Sequence, residues 1–283
     1  CFIFVFQSPD MSGEPPAKKQ ATGKRYKLLS AWFCPYAQRG WIAMEHHKIP
    51  HEKIEVLALI PKEGQELKDV TEYTKDPLVL KHHPQGMVPV IVDEEEKEPA
   101  VYDSLVCVEF TDDLVNAGIV EGTTPLLPKD PVARAKARIW VDTFNKTVAS
   151  NFYKVLVPRD QETRVQGMEN FRAALRKFQE NMKGPFFLGE HLSAVDLAAF
   201  PWAFRAVSVG MLERYRGEDF ALDRAEFAKI YEWVQACENL PCVKITLPDK
   251  ERLIGAYGRY AEGTAKSKIG EALRAGKSAH EHD

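Results

Sequence analysis

Leu28-Leu29-Ser30-Ala31-Trp32-Phe33-Cys34-Pro35-Tyr36-Ala37-Gln38-Arg39 is the stretch on which the reading of this chain turns. A short apolar run ends in a cysteine, and an amphipathic segment follows at once. The pattern reads as a strand, a tight turn and a helix whose first turn carries Cys34. Pro35 then falls at the first helical position, where its missing N–H costs nothing. A cysteine there meets unpaired backbone N–H groups and the positive end of the helix dipole. Both favour the thiolate, which is the reactive form. The plainer alternative is a small buried hydrophobe, the usual fate of a lone cysteine. Its position at a helix start favours the reactive reading.

Arg25 to Ala31 reads as the first strand. The first helix runs from Pro35 to about Lys48, with Ala37, Trp41 and Met44 at helical spacing and Pro50 as the stop. Glu52-Lys53-Ile54-Glu55-Val56 alternates as a half-buried strand does. A β–α–β order favours a parallel pair with a right-handed crossover. Residues 61–83 are charged and interrupted by Gly64 and Pro77, so an irregular segment containing a helix is expected. Val88 to Val92 reads as a strand with Pro89 near its start, where a ladder tolerates proline and where a cis peptide beside a ligand would be useful. Asp93 to Glu98 is an acidic, solvated hairpin tip. Ala100-Val101-Tyr102 is a short strand, and Asp103 or Ser104 caps the helix that follows through Leu105, Val108 and Asp112. This first unit, βαβ then ββα, spans residues 25–117.

Residues 118–130 form a linker with Gly122, Pro125 and Pro128. From Asp130-Pro131 strand signals vanish. Residues 131–157 carry Ala135, Ile139, Trp140, Phe144, Val148 and Phe152 at helical intervals, and a second long helix runs from Asp160 to Lys183. Ser193-Ala194-Val195-Asp196 is a capping box, with Leu192 and Leu197 at the staple positions. The helix it opens is apolar nearly all round through Phe204, so it belongs at the centre of a bundle. Ala225 to Glu238 and Lys250 to Gly263 are further helices. An all-helical second unit thus covers residues 131–263, and the small, charged tail 264–283 is expected to fray.

The chain has 283 residues, room for two domains, and a net charge of −3 that gives no nucleic-acid surface. Five cysteines, an odd count without dense spacing, point to free thiols in a reducing, cytoplasmic setting. No apolar run approaches the roughly 20 residues of a membrane span, so no stable membrane association is expected. Cys1 to Phe6 is apolar but lacks the basic region and cleavage site of a signal peptide. Met11-Ser12-Gly13-Glu14 looks like a natural start, and residues 1–24 are expected to be disordered.

Cys34-Pro35-Tyr36-Ala37-Gln38-Arg39, Gly86-Met87-Val88-Pro89-Val90, Asp103-Ser104 and the Ser193–Asp196 box, in this order and spacing, resemble the cysteine-type glutathione transferases, with the omega and lambda classes most similar. The resemblance covers residues 25–262 and implies a thioredoxin-like domain that binds glutathione, followed by an all-helical glutathione-transferase domain. It implies Cys34 as the redox nucleophile. It also implies that the Val88 main chain, ahead of a cis-Pro89, pairs with the cysteinyl amide of glutathione. Ser104 would hold the γ-glutamyl carboxylate at the helix N-terminus, with Asp103 accepting from the ammonium. The family more usually has Glu at the position of Asp103, which keeps the charge but shortens the reach. Lys75, thirteen residues before Val88, stands where omega-like proteins place a lysine for the glycyl carboxylate. Phe33 and Tyr36 would sit at the mouth of an acceptor pocket that includes Arg205, Tyr257 and Tyr260. Homodimers are common in the superfamily.

Ala37 stands where a dithiol motif would have a second cysteine, which disfavours an internal thiol cycle and favours one resolved by a second glutathione. The activities this implies are reduction of mixed disulfides, dehydroascorbate or S-glutathionyl small molecules, the partner being a small electrophilic or disulfide acceptor. Three alternatives stand beside it. One is a glutathionyl-hydroquinone reductase, although those usually have His where Gln38 stands. The others are a protein like the chloride intracellular channels, and a ligandin without turnover. Cys237 and Cys242, and the His46, His47 and His51 cluster, match no zinc spacing, so no metal is expected.

Overall fold

The structure is a computed structural model that describes residues 25–58, 74–157, 160–277 and 279. The expectations for residues 1–24, and for most of the charged segment after residue 60, fall outside the described residues. A four-stranded sheet has the order β2-β1-β5-β6, where β1 is Tyr26–Ser30, β2 His51–Glu55, β5 Val90–Asp93 and β6 Val101–Tyr102. Strands β1 and β2 are parallel, Tyr26 opposite His51, and α1 (Pro35–His46) makes the crossover. Strands β5 and β6 complete the sheet antiparallel, Leu29 opposite Val90 and Val90 opposite Tyr102. The period of two along β1 divides the core. Tyr26 and Leu28 pack with Met44 of α1 and with Cys107 and Leu114 of α3 (Ser104–Asn116), while Leu29 joins Val90, Val92 and Val79 on the other face. A two-stranded ribbon, β3 (Leu57–Ala58) with β4 (Thr74–Lys75), leads into α2 (Pro77–His82). The Val88–Pro89 peptide bond is cis, as the sequence suggests.

Among its described residues the second unit is built of helices, with one isolated antiparallel bridge between Phe186 and Gly189. α4 (Pro131–Phe144) and α5 (Ser150–Leu156) are not one regular helix: a π-helical turn, Asn145–Ala149, intervenes. α6 is Gln161–Asn181, and α7 (Ala194–Val207) is buried along its whole length from Ala194 to Arg205. Asp196 accepts from the Ser193 N–H at 2.9 Å, the Ser193 hydroxyl at 2.6 Å, the Phe187 N–H at 2.8 Å and the Trp233 indole at 2.9 Å, so the box also pins a loop and a neighbouring helix. α8 (Met211–Arg216) and α9 (Ala228–Asn239) pack on α7, the short α10 (Pro241–Lys244) packs on α1 and α9, and α11 (Lys250–Glu262) reaches α7 through Tyr257.

The stretch after Gly263 departs from expectation. It forms α12 (Lys268–Arg274), capped by the Ser267 hydroxyl on the Gly270 N–H at 3.0 Å. Buried Leu273 and Ala272 anchor it, supplying the apolar contacts that a fraying tail lacks.

Candidate active site

Cys34 is the N-cap of α1, in extended backbone, with Pro35 at the first helical position. Its N–H donates to the Ala31 carbonyl at 3.0 Å, closing the turn, and its carbonyl receives the first helical bond from Gln38. The carbonyl just before it, that of Phe33, accepts from Arg205 Nη2 at 3.0 Å and from the Tyr257 hydroxyl at 3.3 Å. Arg205 Nε donates to the Tyr257 hydroxyl at 3.0 Å, and its Nη1 donates to Gln38 Oε1 at 3.1 Å. The cysteine loop is therefore clamped from behind by α7 and α11.

That clamp corrects the expectation for two residues. Arg205 and Tyr257 do not line the cavity; both are fully buried and brace the Phe33 carbonyl. Each satisfies its polar atoms on a main-chain group that sequence spacing cannot reveal, since Phe33 lies more than 170 positions from Arg205.

Burial pushes the Cys34 thiol above its ordinary range. Backbone N–H groups of Ala37 and then Tyr36 oppose this, as does the nearby charge of Arg205. The helix start lowers the thiol as expected, but desolvation outweighs it.

Behind Gln38 the motif continues into Arg39, a fully buried guanidinium. Its Nε donates to the Leu197 carbonyl at 3.2 Å and its Nη2 to the Ala198 carbonyl at 2.5 Å. Its Nη1 donates to Ser104 Oγ at 3.1 Å and Asn145 Oδ1 at 2.8 Å. The guanidinium lies over the Trp202 ring, 4.4 Å from its centroid. Burial pulls it down to about 10, still cationic at neutral pH.

A cavity of about 400 Å³ joins these elements. Phe33, Cys34 and Tyr36 reach it from the head of α1, Lys75 from β4, Val88 and Pro89 from the cis turn, and Asp103 and Ser104 from the head of α3. Tyr260 joins from α11. Of the residues singled out in the sequence, all but Arg205 and Tyr257 converge here. Asp103, at φ 70°, caps α3: its Oδ1 accepts from the Leu105 N–H at 2.9 Å and the Val106 N–H at 3.2 Å. Lys75 Nζ donates to the Gln85 carbonyl at 2.7 Å.

Sequence reasoning missed Asn145, His83 and the wall formed by Lys266, Ser267, Lys268, Ile269 and Glu271. The last of these was legible: Ser267 followed by Ile269, Ala272 and Leu273 is a capped, periodic run. Nothing local marks Asn145, because the π-helical turn that brings it to the cavity interrupts an otherwise ordinary helical pattern.

The pieces fit glutathione, a tripeptide with a thiol at its centre and carboxylates at both ends. The cavity offers a cysteine, a helix N-terminus with a hydroxyl, and a lysine. Among the described residues no group of three or more His, Cys, Asp or Glu side chains is placed to hold a metal, and no helix is long and apolar enough to cross a membrane.

Residues 33–114 match the glutathione S-transferase N-terminal domain, and residues 137–236 match the glutathione S-transferase C-terminal domain. Glutathione transferase Omega 3C from Trametes versicolor superposes with a TM-score of 0.68 at 32% identity, covering 86% of this chain and 92% of that one. Rice GST1, solved in complex with glutathione, shares the fold with a TM-score of 0.66 at 23% identity, covering 86% of this chain and 98% of that one. A probable glutathione S-transferase from Glycine max is 29% identical over 88% of this chain and 99% of its own length. With both domains matched in order, and a relative of 32% identity spanned almost end to end, the chain belongs to the glutathione S-transferase family.

Proposed function

We propose that this protein is a cytoplasmic, omega-like glutathione transferase acting as a monothiol thiol transferase. Its acceptors would be mixed disulfides, dehydroascorbate or S-glutathionyl small molecules. The observation that carries the reading is the convergence of Cys34 with Val88-cis-Pro89 and Asp103-Ser104 on one cavity, while buried Ala37 occupies the place of a second thiol. Among the described residues Cys34 is the only cysteine in that cavity.

The Ser104 hydroxyl accepts from Arg39, which leaves its own proton to donate to the γ-glutamyl carboxylate. Asp103 spends Oδ1 on capping, so Oδ2 is the atom for the γ-glutamyl ammonium. The Val88 main chain pairs with the cysteinyl amide, and this brings the glutathione sulfur to Cys34. In the first step the Cys34 thiolate attacks the glutathionyl sulfur of a mixed disulfide. A Cys34–glutathione bond forms, and the acceptor leaves as a thiolate. A second glutathione thiolate then attacks that bond, releasing oxidised glutathione and restoring Cys34. Tyr36 and Tyr260 supply aromatic surface for the acceptor.

The test is glutathione-dependent reduction of hydroxyethyl disulfide, with mass spectrometry of the enzyme quenched in turnover. A single glutathionyl group on the Cys34 peptide is expected. Turnover in which that peptide never carries one would overturn the reading.

A further inference from the structure

Lys75 and Lys268 come to the cavity from opposite ends of the chain, one from β4 and the other from α12. Lys75 is tied down, and the helix that carries Lys268 is anchored. The Lys75 ammonium is tied to the Gln85 carbonyl, and its stem runs against Gly86, where a Cβ would lie 3.1 Å from Lys75 Cδ. Gly86 itself has φ +60°, so two constraints reserve that position for glycine.

α12 is equally fixed. The Tyr260 hydroxyl and Ser267 Oγ lie 2.7 Å apart, and Arg274 donates to the Gly263 carbonyl at 3.3 Å and also to that of Ala265. Gly270 lets the helix close on that segment, since a Cβ there would meet the Ala265 carbonyl at 2.6 Å. Tyr260 thus serves the site twice, as cavity wall and as the anchor of α12.

Two ammonium groups at one cavity repel each other, although both side chains are exposed and water screens part of the repulsion. Burial and then the charge of Lys268 both pull Lys75 below the usual lysine range, with Glu271 only partly offsetting them. An anion bound in that cavity relieves the repulsion. If the γ-glutamyl carboxylate is taken at Ser104, the glycyl carboxylate is the one left.

Resting on the glutathione reading above, we propose that Lys268 of α12 is a second carboxylate-binding residue, sharing the glycyl carboxylate with Lys75 and selecting thiols that carry a free carboxylate at that end. An ammonium has three protons, and Lys75 spends one on Gln85, so both lysines can donate to one carboxylate.

The test is calorimetric titration of the full chain with glutathione and with its glycyl monoethyl ester, in wild type, Lys268→Met and Lys268→Arg. Lys268→Met is expected to weaken glutathione about 10-fold, the loss of one charge-assisted hydrogen bond. It should change affinity for the ester less than about 2-fold, and Lys268→Arg should restore most of the loss. Equal effects on acid and ester, or none on either, would overturn the role of Lys268 while leaving the glutathione reading intact. Wild-type protein that binds neither compound would overturn both. Lys268 is exposed, so the substitution leaves the core untouched.

Discussion

Arg39 fills the acceptor that Pro201 vacates at Leu197. In a regular helix the N–H of residue 201 would donate to the carbonyl of residue 197, but proline has no N–H. The Leu197 carbonyl instead takes Arg39 Nε at 3.2 Å. A proline in the middle of α7 would ordinarily leave a costly orphan in the core. Here it creates a socket for a guanidinium from the first unit. The same guanidinium holds Ser104, so the joint between the two units and the proposed γ-glutamyl contact share one residue.

Replacing Arg39 should therefore damage stability and binding together. Arg39→Met is expected to lower unfolding free energy by about 3 kcal/mol, from lost charge-assisted hydrogen bonds and an orphaned carbonyl, measured by urea denaturation. Arg39→Lys should recover little, because an ammonium cannot span the four acceptors that the fork reaches. Glutathione affinity should fall in both variants as Ser104 loses its support. Unchanged stability in Arg39→Met would sink the socket reading.

The reactivity of Cys34 should rise steeply with pH. Burial raises the thiol above its ordinary range, so near neutral pH the thiolate fraction is smaller than for a free cysteine, and it grows as pH climbs through the raised pKa. Iodoacetamide alkylation of the ligand-free protein should therefore keep accelerating beyond the midpoint found for free cysteine. A midpoint well below about 8.5 would mean that the backbone N–H groups and Arg205 outweigh desolvation.

The outer face of β6, α3 and α4 should carry a homodimer contact. Tyr102 is 42% exposed, Val106 52% and Ile139 65%. α3 and α4 are bridged beside them by Arg138, whose Nε donates to Glu109 Oε1 at 3.0 Å. Exposed apolar side chains on neighbouring elements are the material of association surfaces. Val106→Glu is expected to shift the protein toward monomer in light scattering coupled to size exclusion, with the fold intact by circular dichroism. A wild-type monomer at high concentration would contradict the assignment.

Much of this was legible where the chemistry is local. Pro35 at the start of α1, Asp103 capping α3, the Ser193–Asp196 box and Pro89 at a cis turn each follow from residue type and spacing over a few positions. The sequence loses its grip where a side chain answers a need created far away. The family resemblance puts Arg205 and Tyr257 in the acceptor pocket, yet the Phe33 carbonyl claims both. Asn145 depends on a π-helical turn that no periodicity announces. The thiol's environment is legible only in part: the helix start is local, but desolvation depends on tertiary packing around Cys34.

Whether the cycle runs through Cys34 is read by pairing Cys34→Ser with wild type in two assays, glutathione-dependent disulfide reduction and calorimetric glutathione binding. Serine keeps the size and the helix start but cannot form the mixed disulfide. The expected result is loss of thiol transfer to background while glutathione still binds within about 3-fold of wild type, a difference under 1 kcal/mol. Undiminished turnover in Cys34→Ser would contradict a cycle that passes through this sulfur.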